Sequence, residues 1–126
     1  MPRATMLAAL WFGTACAADK TLEPVVPCTA PVQMTLTFQT ALDIAWSPRC
    51  GVARIDIVAP PSQGLLVYWG VTSTSATIAP TVRYGNTPPG ATVTHAPALI
   101  MSGATLAVRL SDANNQTLAQ GAIQAP

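Results

Sequence analysis

From Val32 onward the chain falls into a period of two and keeps returning to it. Val32, Met34, Leu36 and Phe38 are apolar while Gln33, Thr35, Thr37 and Gln39 are polar, so an extended backbone turns one set inward and the other to water. Leu42, Ile44 and Trp46 repeat the pattern against Asp43, Ala45 and Ser47 until Pro48 ends the run, because proline cannot donate to a strand ladder. Gly51 opens a third run, Val52 to Ala59, in which Arg54 and Asp56 alternate with Ile55 and Ile57. Leu65 to Val71 is apolar on both sides, which predicts either two-sided burial or an edge open to binding. Thr81 to Tyr84 is a shorter extended segment, and Leu106, Val108 and Leu110 alternate with Ala107 and Arg109. The polar turn Asp112-Ala113-Asn114-Asn115 then leads into Thr117 to Ile123, closing a final hairpin. Between these runs lie Pro60-Pro61-Ser62-Gln63-Gly64 and Gly85-Asn86-Thr87-Pro88-Pro89-Gly90, turns by composition. No segment past the N-terminus sustains a 3.6-residue period. The predicted fold is all-β, a single antiparallel β-sandwich of about seven strands.

Ahead of the sandwich stands a segment of another kind. Met1-Pro2-Arg3 carries one positive charge, Ala4 to Ala15 is uncharged and holds Leu7, Leu10, Trp11 and Phe12, and Ala15-Cys16-Ala17 is a small-residue cleavage site. Residues 1–17 are therefore read as an export signal, helical while it lasts. Cleavage after Ala17 would discard Cys16 and release a soluble protein. The same residues resemble a bacterial lipoprotein signal, in which Cys16 would be diacylated and become the new N-terminus, with Thr14 and Ala15 suiting that motif and Gly13 departing from it. Both routes stay open. The apolar run is shorter than the ~20 residues a transmembrane helix needs.

Removing the signal leaves about 110 residues, one domain's worth. Residues 18–31 form a tether in which Pro24, Pro27 and Pro31 block helix and sheet hydrogen bonding, and 32–126 form the sandwich. Lys20, Arg49, Arg54, Arg83 and Arg109 balance Asp19, Glu23, Asp43, Asp56 and Asp112. Nucleic-acid binding needs clustered excess cations and polybasic membrane attachment needs the same, so both classes are set aside. Three cysteines become a pair once Cys16 is cleaved or lipidated. In an oxidising compartment Cys28 and Cys50 are then expected to form a disulfide.

Leu42-Asp43-Ile44-Ala45-Trp46-Ser47-Pro48 resembles the second strand of a fibronectin type III domain, where an inward Trp precedes a Pro. Ile100 to Leu110, with Gly103 before Leu106-Ala107-Val108-Arg109-Leu110, is similar to that family's penultimate strand. The order W-S-P-x-C, a Trp strand, Val82-Arg83-Tyr84-Gly85 and Pro88-Pro89-Gly90 also resembles small bacterial envelope lipoproteins built on such immunoglobulin-like domains. The likeness runs from roughly Val32 to Ile123 and implies an adhesive or spacer module in the cell envelope. Leu106 stands where the family usually has a Tyr, so the tyrosine corner is expected to be missing, with the Cys28 to Cys50 staple supplying part of its restraint.

Reactive groups are sparse. His95 is the one imidazole, no serine lies in a G-x-S-x-G elbow, and Asp43, Asp56 and Asp112 alternate with apolar strand neighbours or sit in a turn. A non-catalytic protein with no metal or cofactor is expected. Tyr68 and Trp69 are adjacent, so a regular strand would turn one of them outward. That ring, with Tyr84, Arg54 and Arg83 near it, is a possible binding surface for a glycan or peptide, the alternative being that Trp69 packs over Tyr84 or over Pro88-Pro89. The partners this leaves are a membrane reached through a lipid anchor, another envelope protein, or a glycan. Location is expected to be the cell envelope, lipid-anchored or periplasmic, or the extracellular space.

Overall fold

The computed structural model describes residues 25–63 and 66–126. The signal segment 1–17 with Cys16, and the first part of the 18–31 tether, lie outside the described residues.

The alternating runs become strands, and their apolar sets face a common interior. β1 (Gln33–Phe38) and β2 (Leu42–Ser47) form a hairpin with Met34 opposite Trp46 and Leu36 opposite Ile44. β3 (Arg54–Val58), β4 (Val67–Thr72), β5 (Val82–Arg83), β6 (Thr92–His95), β7 (Thr105–Ser111) and β8 (Thr117–Gln124) follow, with one turn of 3-10 helix at Pro61–Gln63. They form two antiparallel sheets, one of three strands in the order β1, β2, β5 and one of five in the order β6, β4, β3, β7, β8. Leu42, Ile44 and Trp46 from the first sheet and Ile55, Ile57, Trp69, Val71, Leu106, Val108 and Leu110 from the second are buried in one cluster. Burying each such side chain favours folding by roughly 1.5–3 kcal/mol, so the period-two pattern is what holds the sheets together.

Cys28 and Cys50 are joined, with Cα atoms 5.0 Å apart, inside the range disulfide geometry allows. Around the bond the backbone closes as well. The Cys28 amide donates to the Gly51 carbonyl at 2.9 Å and the Gly51 amide to the Val26 carbonyl at 2.8 Å, while the buried Trp46 indole N–H donates to the Cys50 carbonyl at 2.9 Å. The C-terminal part of the 18–31 segment is thus laid against Gly51 in a parallel bridge at Pro27. Gly51 has to be glycine: a Cβ there would collide with the Ala76 carbonyl oxygen and come within 2.8 Å of Val25 Cγ2.

β4 is interior, with β3 on one side and β6 on the other. Of the two readings of the doubly apolar run at Leu65 to Val71, two-sided burial is realised from Tyr68 to Val71, while Leu66 is exposed. Tyr68, Trp69, Gly70 and Val71 are all buried in succession. Strict alternation fails here because the pairing of β3 with β4 slips by one residue between Ile57 and Val58, and a bulge lets neighbouring side chains leave their regular faces.

Candidate functional site

Tyr68 is 7% exposed and Trp69 fully buried, so neither ring offers a face to a ligand. Trp69 meets Tyr84 edge to face, the ring centres 5.4 Å apart. The half-buried Tyr84 hydroxyl lies 2.9 Å from the Tyr68 carbonyl and 2.7 Å from the Ala98 carbonyl. Its one proton is shared between these acceptors, and burial pushes the phenol above its ordinary pKa. Tyr84, just after β5, thereby ties the end of the three-stranded sheet to β4 and to the segment after β6. The sequence named the residue without this role, because both acceptors are backbone atoms brought close only by the fold.

The two arginines lie on different sheets. Arg83 sits on the exposed side of the three-stranded sheet opposite Asp43 and grips it through two bonds, Nε to Oδ1 at 2.9 Å and Nη2 to Oδ2 at 3.0 Å. The donated bonds and the adjacent charge hold the Asp43 carboxyl below its usual pKa. Arg54 stands on the five-stranded sheet with its Nε 2.9 Å from Asp56 Oδ2. Tyr68, Trp69, Tyr84, Arg54 and Arg83 are therefore not brought to one surface. The reason is topological: β5 pairs with β2, and β3 and β4 belong to the facing sheet.

The outward face of the five-stranded sheet carries a different set. Asp56 pairs with Arg109, Val58 with Ala107, Arg109 with Gln120 and Ala107 with Ala122. Arg109 is fixed by Nε to Thr117 Oγ1 at 2.6 Å and Nη2 to the Asn115 carbonyl at 2.9 Å. Because Ala107 and Ala122 are small, the face sinks into an open hollow of about 740 Å³ bordered by Val58, Pro61, Asp56 and Arg109. Its floor is apolar and both charge signs stand on one rim, so it suits an uncharged group with a polar end. Across β3 from this rim, His95 Nδ1 and Asp56 Oδ1 lie 3.4 and 3.5 Å from the point that a Cβ on Gly70 would occupy. Among the described residues no three His, Cys, Asp or Glu side chains group as metal ligands do.

Two long stretches of the chain carry no charged side chain. No Asp, Glu, Lys or Arg occurs in 57–82 or 84–108, and within these stretches Leu66 is 48%, Leu99 81% and Met101 66% exposed. Leu66 adjoins Val67, which pairs with Val58 at the hollow. The Met101 turn precedes β7. At the other end of β7, Asp112 to Asn114 lie beside Pro27 and Cys28. The apolar end and the docked N-terminal segment are thus separated by the length of β7, seven residues, or about 20 Å at the usual antiparallel rise.

Comparison of the chain with protein-family models, with curated proteins and with solved structures gave no match.

Proposed function

We propose that the chain is exported and serves as a non-catalytic interaction or structural module of the cell envelope, an immunoglobulin-like or fibronectin type III-like β-sandwich tethered at its N-terminus. The observation that carries this reading is the Cys28–Cys50 bond, since disulfides form and persist in oxidising compartments. It clamps the chain to the domain inside the Pro-rich 18–31 segment, where a tether would deliver its load. The exposed Leu66, Leu99 and Met101 stand at the opposite end, so a domain held by its N-terminus presents an apolar surface outward. Exposed apolar groups of this size in one region are a common mark of association surfaces.

A second reading is a freely secreted binder of a glycan or small ligand. Its support is the open hollow at Val58, Ala107 and Ala122, the Tyr68 and Trp69 rings being buried. Mass spectrometry of the chain purified from its native cell separates the readings. A diacylated Cys16 supports the tether, whereas an N-terminal Ala18 supports free secretion. An intact Met1 together with reduced Cys28 and Cys50 would overturn both.

A further inference from the structure

Strand register lays two unlike rows side by side on the outward face of the five-stranded sheet. Directly paired residues share a face, and Asp56, Arg109 and Gln120 pair in succession across β3, β7 and β8. Two residues along, Val58, Ala107 and Ala122 pair in the same way. The hollow is the bed that these side chains form, with Pro61 at its border. Three strands ~4.8 Å apart and two rows separated by twice the ~3.4 Å rise make that bed about 10 Å by about 7 Å. One row can hydrogen-bond and the other cannot.

The polar row holds bonding capacity that the protein does not use. Asp56 Oδ2 accepts from Arg54 Nε at 2.9 Å, while Oδ1 accepts nothing among the described residues. Arg109 donates through Nε to Thr117 and through Nη2 to Asn115, which fixes the guanidinium plane and leaves its remaining N–H groups uncommitted. No carboxylate pairs with it among the described residues. The exposed Gln120 amide, which both donates and accepts, has no side-chain partner among them either. A ligand with one net charge meets a like charge in this row, an anion at Asp56 and a cation at Arg109. A hydroxyl-bearing edge, by contrast, donates to the carboxylate and accepts from the guanidinium at once. The apolar row adds the demand for a C–H surface beside those hydroxyls, and the small Ala107 and Ala122 leave room for it to settle.

We propose that this bed binds a neutral glycan, a pyranose ring lying on Val58, Ala107 and Ala122 with its hydroxyl edge turned to Asp56, Arg109 and Gln120. The inference rests on the reading of the protein as a binder of a glycan or small ligand, and it gives that ligand its class. An extended peptide is a poorer occupant, since peptides join sheets along their edges and this bed is a face. The polar row also continues past Asp56. Gly70 pairs with Asp56 on one side and His95 on the other. The place its Cβ would fill is ringed by Asp56 Oδ1, His95 Nδ1 and Thr94 Oγ1 at 3.5, 3.4 and 2.5 Å. Glycine therefore keeps the row open, and a longer chain of sugars has a path across β4 toward β6.

The test is titration of the mature, disulfide-bonded chain with cellobiose, maltose and N,N′-diacetylchitobiose, read by amide chemical shifts, with octanoate and octylammonium as charged counterparts. At least one disaccharide is expected to bind with a dissociation constant of about 1–10 mM, as suits an open bed with few contacts, and to shift the amides around Asp56, Ala107, Arg109 and Gln120. Ala107→Leu fills the apolar row while leaving every polar group in place, and is expected to weaken binding about tenfold. Thr37→Lys, on β1 of the other sheet, leaves binding unchanged. Should Ala107→Leu unfold, Gln120→Ala replaces it, with a loss of about threefold expected. No shift from any of the three sugars up to about 50 mM overturns the proposal, as does binding that both bed variants keep at full strength or shifts that map elsewhere. Shifts at the bed from octanoate or octylammonium alone overturn the glycan class and leave a small-ligand binder. Silence at the bed toward all five probes removes the support for that wider reading as well.

Discussion

Removing the disulfide tests how much of this fold depends on covalent closure. Cys28 and Cys50 are 22 residues apart in sequence, and loop-closure entropy for a ring of that size amounts to about 11 cal/mol/K, or about 3.4 kcal/mol at 25 °C. Both side chains are buried, at 6% and 8% exposure, so the double substitution Cys28→Ala/Cys50→Ala is preferred to serine, which would bury new hydroxyls. The backbone bonds from Cys28 to Gly51 and from Gly51 to Val26 survive the change in principle, so the lost entropy term is the main effect. For a domain of about one hundred residues, 1 kcal/mol corresponds to roughly 4–8 °C in Tm, so a fall of roughly 13–27 °C is expected. Thermal unfolding followed by circular dichroism reads it, with wild type in reductant as a second route to the same state. Wild type in reductant and the double variant should melt together. If the verified oxidised protein and the double variant melt within about 3 °C of each other, the entropic reasoning fails and the backbone bridge at Pro27 is holding the segment by itself.

Other outcomes follow from single contacts. Tyr84→Phe removes the proton shared by the Tyr68 and Ala98 carbonyls and should cost about 1 kcal/mol in urea unfolding. Because burial raises the Tyr84 pKa, the wild type should lose stability as pH rises from ~10 through the raised value, a loss absent from Tyr84→Phe. Gly51→Ala drives a Cβ into the Ala76 carbonyl oxygen, backbone against backbone, and should destabilise by about 3 kcal/mol, seen as a lower urea midpoint. Asp43 has its carboxyl pKa lowered by the bonds from Arg83, so that contribution is present above the ordinary carboxyl value of ~4 and lost as pH falls through the lowered one. The urea midpoints of wild type and Arg83→Ala should therefore converge on acidification, and a gap that widens would contradict the pairing.

The sequence was most informative where burial is one-sided. β1, β2, β3 and β7 were legible because each turns its larger apolar side chains chiefly to one face, and Cys28 with Cys50 because compartment and parity left one pair. β6 was not, since Thr92-Val93-Thr94-His95 is exposed on both faces and a strand without a buried side has no contrast to read. Tyr68 and Trp69 misled for the opposite reason: alternation requires a regular strand, and the slip between Ile57 and Val58 lets both rings turn inward. The hollow at Ala107 and Ala122 was hidden because it arises from what those residues lack, and only cross-strand register places them side by side.

The Cys28–Cys50 bond also decides how the domain carries tension. A force applied to the chain on either side of the pair passes from Cys28 to Cys50 through sulfur, and the residues between them, which include β1 and β2, form a slack covalent loop. Those two strands cannot be drawn out lengthwise, however hard the ends are pulled. Extension falls on the chain outside the 28–50 loop, so the β1–β2 pairing, six of the eight residue pairs of the three-stranded sheet, is mechanically sheltered while the β2–β5 pairing is not.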